Sequence, residues 1–549
     1  MTSGTGIRSI TFFYPSHVIG GTEFLFIRMA EALSDLGYIV YIIDYENGFL
    51  KTNCKNGKVN FIKYQESEKT LLDFDTHLIS PLSFLRKVQH DLICCSDVRL
   101  FFWCIHPHNL LWTFHLWEYF KHLNSNAIHN LLKSIFPQSM APTLNVIRYL
   151  HDNNGLAFMD YPNYQTNSRA FGFTATSPNY LPIPIISKKR QNVIQSKRGN
   201  FPIKIVWLGR LCVDKTPPLL KIMKDANRYA EKYGTPLDFY VIGDGEYRPQ
   251  VEDLPLSPLV NRIMLGTLVR EELDSCLVDV DIAFATGTSC LETAQLGIPS
   301  ILIDPSFSPV PDNYRYTWLS NVEGYSLGNL VNEIDQFKGL SFSEVIDQYE
   351  DYGPQIGKDC YEYVQSNHTI GVVTEKLLHF LEHNAVEFIE FINLKDYKRI
   401  KQKNRFSNML NHLFFKVEHG DFDLKEYLER IEETWNQKGC LRIAIYGGGE
   451  HTKRLLNKYD FPHSEIIGVI DSNENKWGKR LSQFSIMSIE DAFAKGTQLI
   501  LISSRAFEST IYNEHKEACL KNGVELVRLY KDSVDDKEDS IFHSLYQEG

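Results

Sequence analysis

The stretch that decides the fold runs from residue 203 to residue 304. It contains the segments IKIVWLGRLCVDK (203–215), FYVIGDGE (239–246), RIMLGTLVREEL (262–273) and DIAFATGTSCLETAQLGIPSILID (281–304). Apolar runs end in glycine-containing turns and helical patterns follow them, which is typical of βαβ units on a parallel sheet. In such a sheet the ligand lies beyond the carboxyl ends of the strands. The turns of this stretch are therefore the first candidates for a binding site.

Two cations follow the first of these strands. Arg210 comes directly after Gly209, and Lys215 lies a few residues further along. Each could reach an oxygen of a diphosphate and neutralise the charge that builds on it as a leaving group. The plainer alternative is a pair of solvated surface residues.

Two more glycine turns follow the next strands of this stretch. Glycine lets the backbone bend tightly and approach a ligand, although an ordinary turn between strand and helix needs it as well. The residues concerned are Gly243, Asp244, Gly245, Gly266, Thr267 and Leu268.

The last segment predicts a helix that opens at Gly287, Thr288 and Ser289. The N–H groups at its start and the helix dipole would favour an anion in the cleft. Glu292 follows Ser289 by three residues, so Ser-x-x-Glu is also a capping box in which Glu292 bonds back to the cap. A ligand-binding and a capping role for Glu292 both remain open.

The N-terminal part places further candidates after strand-like runs. The run SITFFY (9–14) is followed by Gly20, Gly21 and Glu23. The backbone of this turn could approach an anion at a helix N-terminus, or the turn could be a plain one with Thr22 as the helix N-cap.

Two polar residues follow later strands of the same part. His106 comes after the run 100–105, and Asp160 ends LAFMD. His106 could position an acceptor hydroxyl or stabilise charge, and the alternative is a histidine satisfied within a loop.

Taken together, these motifs resemble the retaining glycosyltransferases of the family usually numbered four. The resemblance covers roughly residues 8–385. It implies an α/β fold of GT-B architecture, with two facing Rossmann-like domains, to which this chain adds a smaller C-terminal Rossmann-like α/β domain. It also implies transfer of a sugar, with retention, from a nucleotide-diphosphate donor to a glycan or lipid-linked acceptor in surface polysaccharide synthesis.

The hypothesis assigns roles to the candidates. Arg210 and Lys215 would hold the diphosphate, Glu292 would accept the ribose hydroxyls, and one of Glu23, His106 or Asp160 would face the acceptor. No metal ion or cofactor is implied, because the cations and the helix dipole neutralise the leaving group. The donor-binding set comprises Gly20, Gly21, Glu23, Gly209, Gly243, Asp244, Gly245, Gly266, Thr267, Leu268, Gly287, Thr288 and Ser289.

One position departs from the family. A second glutamate is expected eight residues before Glu292, and Phe284 stands there instead. That carboxylate normally contacts the donor sugar, so its loss bears on which sugar is used. Thr288 and Ser289 are candidates to supply the missing polar contacts.

Composition excludes several classes of protein. The chain has 549 residues and a net charge of −11, which argues against a nucleic-acid partner because phosphate neutralisation needs a basic surface. Neither a membrane-spanning run nor a signal peptide is evident, and the ten cysteines show no zinc-type spacing. A cytoplasmic protein with reduced thiols is expected. One interpretation of a basic cluster at 188–198 is peripheral contact with the inner face of the membrane, and the alternative is a solvated linker.

The predicted domain order follows these motifs and the intervening composition. It runs as an N-terminal acceptor-side domain at 1–186, a linker at 187–202, a nucleotide-sugar domain at 203–365, a helix returning to the first domain at 366–386, a helical connector at 387–439 and a C-terminal domain at 440–549.

The C-terminal domain begins LRIAIYGGGEHTKRLL (441–456). Gly447 and Gly449 fit the first two glycines of a dinucleotide fingerprint, and Asp471 stands where the ribose acid belongs, but Thr452 replaces the third glycine. An NAD site is one interpretation, and a docking or oligomerisation module that binds a protein partner or a second copy is the other.

Alternatives to the transferase keep the same donor site. They are a GT-B epimerase or hydrolase, a sugar-nucleotide-binding scaffold without turnover, and a bifunctional chain with an active NAD module.

Overall fold

The structure is a computed structural model. It describes residues 7–17, 20–66, 68–113, 123–135, 137–187, 202–268, 270–401, 432, 435, 439, 442–449, 452, 453, 455, 456, 459–503 and 508–528. The basic cluster at 188–198 therefore lies outside the described residues. The chain divides into two compact units, Met1–Gln402 and Lys403–Gly549.

The first lobe, residues 7–187, is built on a six-stranded parallel sheet in the order β3-β2-β1-β5-β7-β8. Its first strand is buried along its whole length, as the apolar run SITFF predicts. The strands are Ser9–Phe13 (β1), Ile39–Asp44 (β2), Asn60–Lys63 (β3), Thr70–Leu72 (β4), Thr76–Pro81 (β5), Leu92–Cys94 (β6), Val98–Cys104 (β7) and Leu156–Phe158 (β8), with β4 and β6 forming a separate pair. The helices are Gly21–Asp35, Phe49–Asn53, Lys87–Asp91, Asn109–Thr113, Ser125–Ile135, Pro137–Asp152 and Tyr161–Phe171.

The second lobe, residues 202–367, repeats this order of strands as β11-β10-β9-β12-β13-β14, with the last strand antiparallel. The strands are Ile203–Leu208 (β9), Leu237–Ile242 (β10), Val260–Gly266 (β11), Ile282–Ala285 (β12), Ser300–Leu302 (β13) and Thr317–Trp318 (β14). The helices are Thr216–Tyr233, Arg248–Glu252, Arg270–Leu277, Thr288–Ala294 and the long helix Phe342–Asn367. In both lobes the order reverses beside the first strand, which is where open α/β sheets bind their ligands.

The return helix, Ile370–Glu382, carries the chain back to the first lobe. Its Val373, Leu377 and Leu381 are fully buried in the first-lobe core, against residues of β1 and of the helix Gly21–Asp35. The short helices Phe388–Asn393 and Lys395–Lys401 follow, and Tyr397 donates a hydrogen bond to the carbonyl of Leu85 at 2.9 Å. The start of the segment that the sequence assigns to a connector therefore packs on the first lobe.

Direct contacts join the two lobes. The backbone N–H of Ile185 donates to the carbonyl of His368 at 2.7 Å, and that of Tyr161 donates to Gly324 at 2.8 Å. Ser125 donates through both its N–H and its hydroxyl to the carboxylate of Glu333, at 2.6 and 2.5 Å.

The C-terminal unit contains a third six-stranded sheet, β17-β18-β16-β15-β19-β20, parallel except for the hairpin strand β17. Its strands are Arg442–Tyr446 (β15), Glu465–Ile470 (β16), Arg480–Leu481 (β17), Phe484–Met487 (β18), Leu499–Ile502 (β19) and Glu525–Arg528 (β20), and its helices are Ile489–Ala494 and Glu508–Lys521. The three sheets with their covering helices confirm the predicted fold class, GT-B architecture with an added Rossmann-like domain.

Candidate functional site

The three glycine turns of the second lobe lie side by side, joined through their backbones. The N–H of Gly209 donates to Ile242 at 3.0 Å, and the N–H of Gly243 donates to Gly266 at 2.7 Å. A Cβ on Gly243 would lie 2.0 Å from the carbonyl oxygen of Gly209, and one on Gly245 would lie 2.2 Å from that of Leu211. These glycines are needed for the close approach of neighbouring turns, which brings their backbone groups to one edge of the sheet.

Asp244 is held within its own turn. Its carboxylate accepts hydrogen bonds from the N–H of Gly245 at 2.8 Å and from Arg248 at 3.2 Å. Gly266 adopts a φ of +67° beside this pair, whereas Thr267 is exposed and Leu268 is partly buried.

The two predicted cations share the loop that follows β9. Arg210 is exposed, and Lys215 is partly buried at the N-cap of the helix Thr216–Tyr233. Burial lowers the pKa of Lys215 and the charge of Arg210 lowers it further, while Asp214 and Cys212 act in the opposite direction. A partly desolvated cation gains more from an anionic ligand than a fully solvated one does.

Asp214 is a residue of this loop that the sequence reasoning missed. Its carboxylate accepts a hydrogen bond from the Cys212 thiol at 3.1 Å, and its carbonyl accepts one from the N–H of Ser306 at 2.8 Å. Its position directly before Lys215 is the sequence signal that could have identified it.

His106 is the first-lobe residue that approaches this loop. Burial lowers its pKa to about 4, and the negative charge of Asp214 opposes the shift, so the two residues are close enough to interact. The Nδ1 of His106 accepts a hydrogen bond from the N–H of His108 at 3.1 Å. The ring is therefore neutral at neutral pH, with its proton on Nε2, and can donate a hydrogen bond.

Glu292 lies on the seven-residue helix Thr288–Ala294, whose N-cap is Gly287 with no side-chain cap. The capping-box alternative is therefore wrong, because Ser289 stands inside the helix. The half-buried carboxylate of Glu292 accepts a hydrogen bond from Gln295 Nε2 at 2.7 Å, and Gln295 is itself fully buried.

Phe284 belongs to the core of the second lobe. It is fully buried on β12, and its ring packs against Tyr316 and Phe342 with centroid separations of 5.6 and 6.0 Å. A glutamate at this position would be buried among aromatic rings. Phe284 therefore contributes to the core of the second lobe.

The first-lobe turn is organised by Glu23. The helix Gly21–Asp35 has Gly20 as its N-cap without a side-chain cap, so the alternative with Thr22 as N-cap is wrong. Glu23 is 4% exposed and accepts a hydrogen bond from the Ser16 hydroxyl at 2.8 Å. A Cβ on Gly20 would lie 2.6 Å from its carboxylate, so the side chain folds back over the turn.

Asp160 is fully buried at the N-cap of the helix Tyr161–Phe171. One carboxylate oxygen accepts from the N–H and the side chain of Asn163, at 2.9 and 2.7 Å, and the other accepts from the N–H of Leu327 in the second lobe at 3.0 Å. Burial raises its pKa to about 6. With both oxygens engaged, this arrangement favours a role in joining the lobes over contact with an acceptor.

In the C-terminal unit, the carboxylate of Asp471, which follows β16, accepts hydrogen bonds from other residues of the chain. One oxygen of Asp471 accepts from the N–H of Gly448 and from Lys476 Nζ, both at 2.9 Å. Lys476 also donates to the Gly448 carbonyl at 3.3 Å, and Thr452 bonds through its hydroxyl to Gly447. Gly447 has a φ of +121°, and Gly449 has open space around it. The sequence reasoning missed Lys476, which donates a hydrogen bond to the carboxylate that a ribose would need.

Within the described ranges, no helix combines the length and the apolar character needed to cross a bilayer.

Comparison with known proteins yields one family match and several structural neighbours. A family described as C2185-like, N-terminal, matches residues 439–523, within the C-terminal unit. No curated protein matches the sequence.

The solved structures that the chain resembles are distant. HepE from Anabaena, in complex with UDP and glucose, is 14% identical over 68% of this chain and 99% of that chain, with a TM-score of 0.36. A glycosyltransferase from Rickettsia africae is 12% identical over 69% and 99%, with a TM-score of 0.38. The N-terminal domain of a Candida albicans trehalose-6-phosphate phosphatase is 12% identical over 69% and 97%, also with a TM-score of 0.38.

Proposed function

We propose that the chain is a glycosyltransferase that moves a sugar from a nucleotide-diphosphate donor to a glycan or lipid-linked acceptor, with retention of configuration. The observation that carries the proposal is the row of joined glycine turns beside Arg210 and Lys215, with the neutral His106 of the first lobe close to the same loop. A donor would lie on these turns, with the acceptor entering from the first lobe.

In this proposal the diphosphate leaves with the help of the two cations. Arg210 and Lys215 lower the barrier by neutralising charge that develops on the leaving oxygen, and partial desolvation of Lys215 strengthens its share. Glu292, oriented by Gln295, accepts the ribose hydroxyls. Arg210 and Lys215 supply the positive charge, so we propose no metal ion or cofactor for the transfer step.

Among the first-lobe residues, His106 contributes to the transfer step in this proposal and the buried carboxylates do not. His106 donates a hydrogen bond through Nε2–H to a sugar or acceptor hydroxyl. Glu23 and Asp160 are buried and hydrogen-bonded, which makes them poorly placed to attack the sugar as nucleophiles. We therefore propose that the acceptor hydroxyl attacks the donor sugar on the same face from which the diphosphate leaves, which retains the configuration.

For the C-terminal unit we propose docking of a protein partner or a second copy rather than NAD binding. The hydrogen bonds that Gly448 and Lys476 make to Asp471 support this choice, because a bound ribose would have to displace them.

The test is a thermal-shift panel of UDP, GDP, ADP, CMP and NAD with the full chain. A ligand at about 100 times its dissociation constant raises the free energy of unfolding by about 2.7 kcal/mol, which is readily measured. One diphosphate should raise the melting temperature of wild type, and NAD should not.

Two variants and a product assay complete the test. The shift should disappear in Lys215→Ala and persist in the matched control Lys224→Ala, an exposed lysine of the same helix region. With the donor so identified, NMR of the product gives the anomeric configuration. Absence of a shift with every diphosphate would overturn the donor site, and free sugar released without transfer would turn the proposal into a hydrolase.

A further inference from the structure

The last turn of the return helix and its C-cap residue, His383, bring together three side chains of metal-ligating type. His379, Glu382 and His383 are all exposed, and one ligand atom from each lies within 4.8 Å of the others. Their spacing of three and four residues puts them on one face of the helix, since neighbours on a helix surface are three and four residues apart. The two imidazole rings have centroids 4.5 Å apart.

One hydrogen bond sets the tautomer of the second histidine. His383 Nδ1 lies 2.8 Å from the carbonyl oxygen of His379. A carbonyl can only accept, so Nδ1 must carry the proton, and in the neutral ring the lone pair lies on Nε2. A histidine that binds a metal ion commonly donates its other ring N–H to a backbone carbonyl in this way.

The turn that carries the cluster is anchored. Directly after it, Asn384 accepts a hydrogen bond from Arg99 through its carbonyl at 2.9 Å and donates from its side chain to the Leu100 carbonyl at 2.9 Å. Asn154 donates to the carbonyl of His383 at 3.2 Å. The backbone beneath the three ligands is thereby fixed to the first lobe, and ligands on a rigid element are better positioned than ligands on a loop.

The electrostatics of this end of the helix favour a cation. The last carbonyl groups of a helix carry a partial negative charge, and the carboxylate of Glu382 adds a full one. Tetrahedral zinc takes bonds of about 2.0–2.2 Å to nitrogen and oxygen, which needs ligand atoms roughly 3.3 Å apart. The ligand atoms, within 4.8 Å of one another, would have to move closer when an ion binds, and all three side chains are exposed.

We propose that His379, Glu382 and His383 form a binding site for a divalent transition-metal ion, most suitably Zn²⁺, with water in the fourth position. Two imidazoles and one carboxylate are a ligand set that zinc accepts, whereas Mg²⁺ and Ca²⁺ prefer oxygen ligands only. The ion would tie the last turn of the return helix together where that helix meets the first lobe. This site is separate from the proposed transfer chemistry and does not depend on it.

The test uses the full chain without an affinity tag. Zn²⁺ binding is measured by titration calorimetry, and Co²⁺ is used as a spectroscopic probe because its visible absorption reports tetrahedral coordination. One ion per chain should bind, and Zn²⁺ should raise the melting temperature. His379→Ala, Glu382→Gln and His383→Ala should each weaken binding by about tenfold or more, since metal affinity depends on every ligand.

The matched control is His463→Ala, which removes another exposed imidazole from the surface. It should leave both Zn²⁺ affinity and the Co²⁺ spectrum unchanged. Failure of Zn²⁺ to bind at millimolar concentration would overturn the proposal. So would binding that survives in the double variant His379→Ala/His383→Ala, because the ion would then lie elsewhere. Since all three positions are exposed, circular dichroism should confirm that the variants fold.

Discussion

At the scale of single residues, His106 shows how one backbone contact selects a chemical role. The N–H of His108 occupies Nδ1, so the proton of the neutral ring lies on Nε2. Burial holds the pKa near 4, well below the ordinary value for histidine. The side chain is therefore a hydrogen-bond donor over the physiological range and has no readily released proton for general acid catalysis.

This distinction leads to a prediction with two substitutions. In His106→Gln the amide N–H takes roughly the place of Nε2–H, whereas His106→Ala removes the donor. We expect kcat/KM for the donor sugar to fall about 5- to 150-fold in Ala, the cost of a lost hydrogen bond of about 1–3 kcal/mol, and to remain within about fivefold of wild type in Gln. Rates should be measured from about pH 5.5 to 8, where all three profiles should run parallel.

The contrary result is equally specific. A Gln variant as inactive as Ala, together with the loss of one limb of the pH–rate profile, would mean that His106 transfers a proton.

The glycine turns give a second prediction at this scale. Gly243 has a φ of +139°, and a Cβ there would lie 2.0 Å from a backbone carbonyl oxygen that cannot move freely. Gly243→Ala should lower stability by about 2–4 kcal/mol, from backbone strain and overpacking together. Gly371→Ala is the control, because nothing lies within 4 Å of its Cβ position on the return helix.

The control should be neutral or stabilising by up to about 1 kcal/mol, since alanine favours helix. Chemical denaturation followed by circular dichroism gives both values. Equal stability of the two variants would show that the turns can separate without cost.

At the scale of elements, the sequence predicts where the turns lie and misses what they touch. Hydrophobic runs that end in glycine were sufficient to place the turn at Gly243, since periodicity and turn chemistry are local properties. Its clash partner, the carbonyl of Gly209, comes from a neighbouring strand and becomes visible only once the sheet order is known. The N-caps considered at Thr22 and Ser289 are wrong, because Gly20 and Gly287 are the N-caps and both side chains lie inside their helices.

Charged residues show the same division. Lys476 pairs with Asp471, and the negative charge of Asp214 acts on both Lys215 and His106. The proximity of Asp214 to His106 cannot be deduced from the sequence. The sequence predicts Asp471 as the acid of a ribose site, and in the structure its carboxylate accepts hydrogen bonds from Gly448 and Lys476. Pairings of this kind depend on tertiary contacts that local patterns do not encode.

The helix that starts at Tyr161 carries an element-scale prediction. Asp160→Ala removes its N-cap and leaves the N–H of Leu327 without an acceptor, so stability at pH 4 should fall by about 2–4 kcal/mol. Ser341→Ala, at the N-cap of the long helix, is the control, since it breaks an exposed capping box and should cost about 1 kcal/mol.

The effect of Asp160 should depend on pH with a definite sign. Its folded-state pKa of about 6 lies above the ordinary aspartate value of 3.8, so the folded chain binds more protons between these values. The carboxyl group therefore contributes most stability below about pH 4, and that contribution falls until about pH 6. Urea unfolding of wild type and Asp160→Ala should give a stability gap that narrows across this window, and a gap that widens would contradict the buried position.

At the scale of the whole molecule, all three sheets reverse their strand order beside the first strand, and the uses of that place differ. In the first and second lobes the reversal beside the first strand brings His106, Arg210 and Lys215 to the carboxyl ends of strands. In the C-terminal unit the corresponding place is filled by Lys476 and Asp471 bound to each other. The same topology can therefore present a site or close it, depending on which side chains follow the strands.

Every residue that we assign to sugar transfer lies in the unit Met1–Gln402, which leads to a prediction for a truncated chain. A protein of residues 1–402 has its own cores and the return helix, so it should fold and bind the nucleoside diphosphate with an affinity within about threefold of the full chain. Calorimetric titration of both proteins measures this affinity. The control is Asp471→Ala in the full chain, which should leave the affinity for the nucleoside diphosphate unchanged. A folded truncated protein with strongly weakened binding would place part of the donor site in the C-terminal unit. Intact binding combined with loss of transfer to the acceptor would instead assign that unit to acceptor recruitment, which is the outcome that a docking module favours.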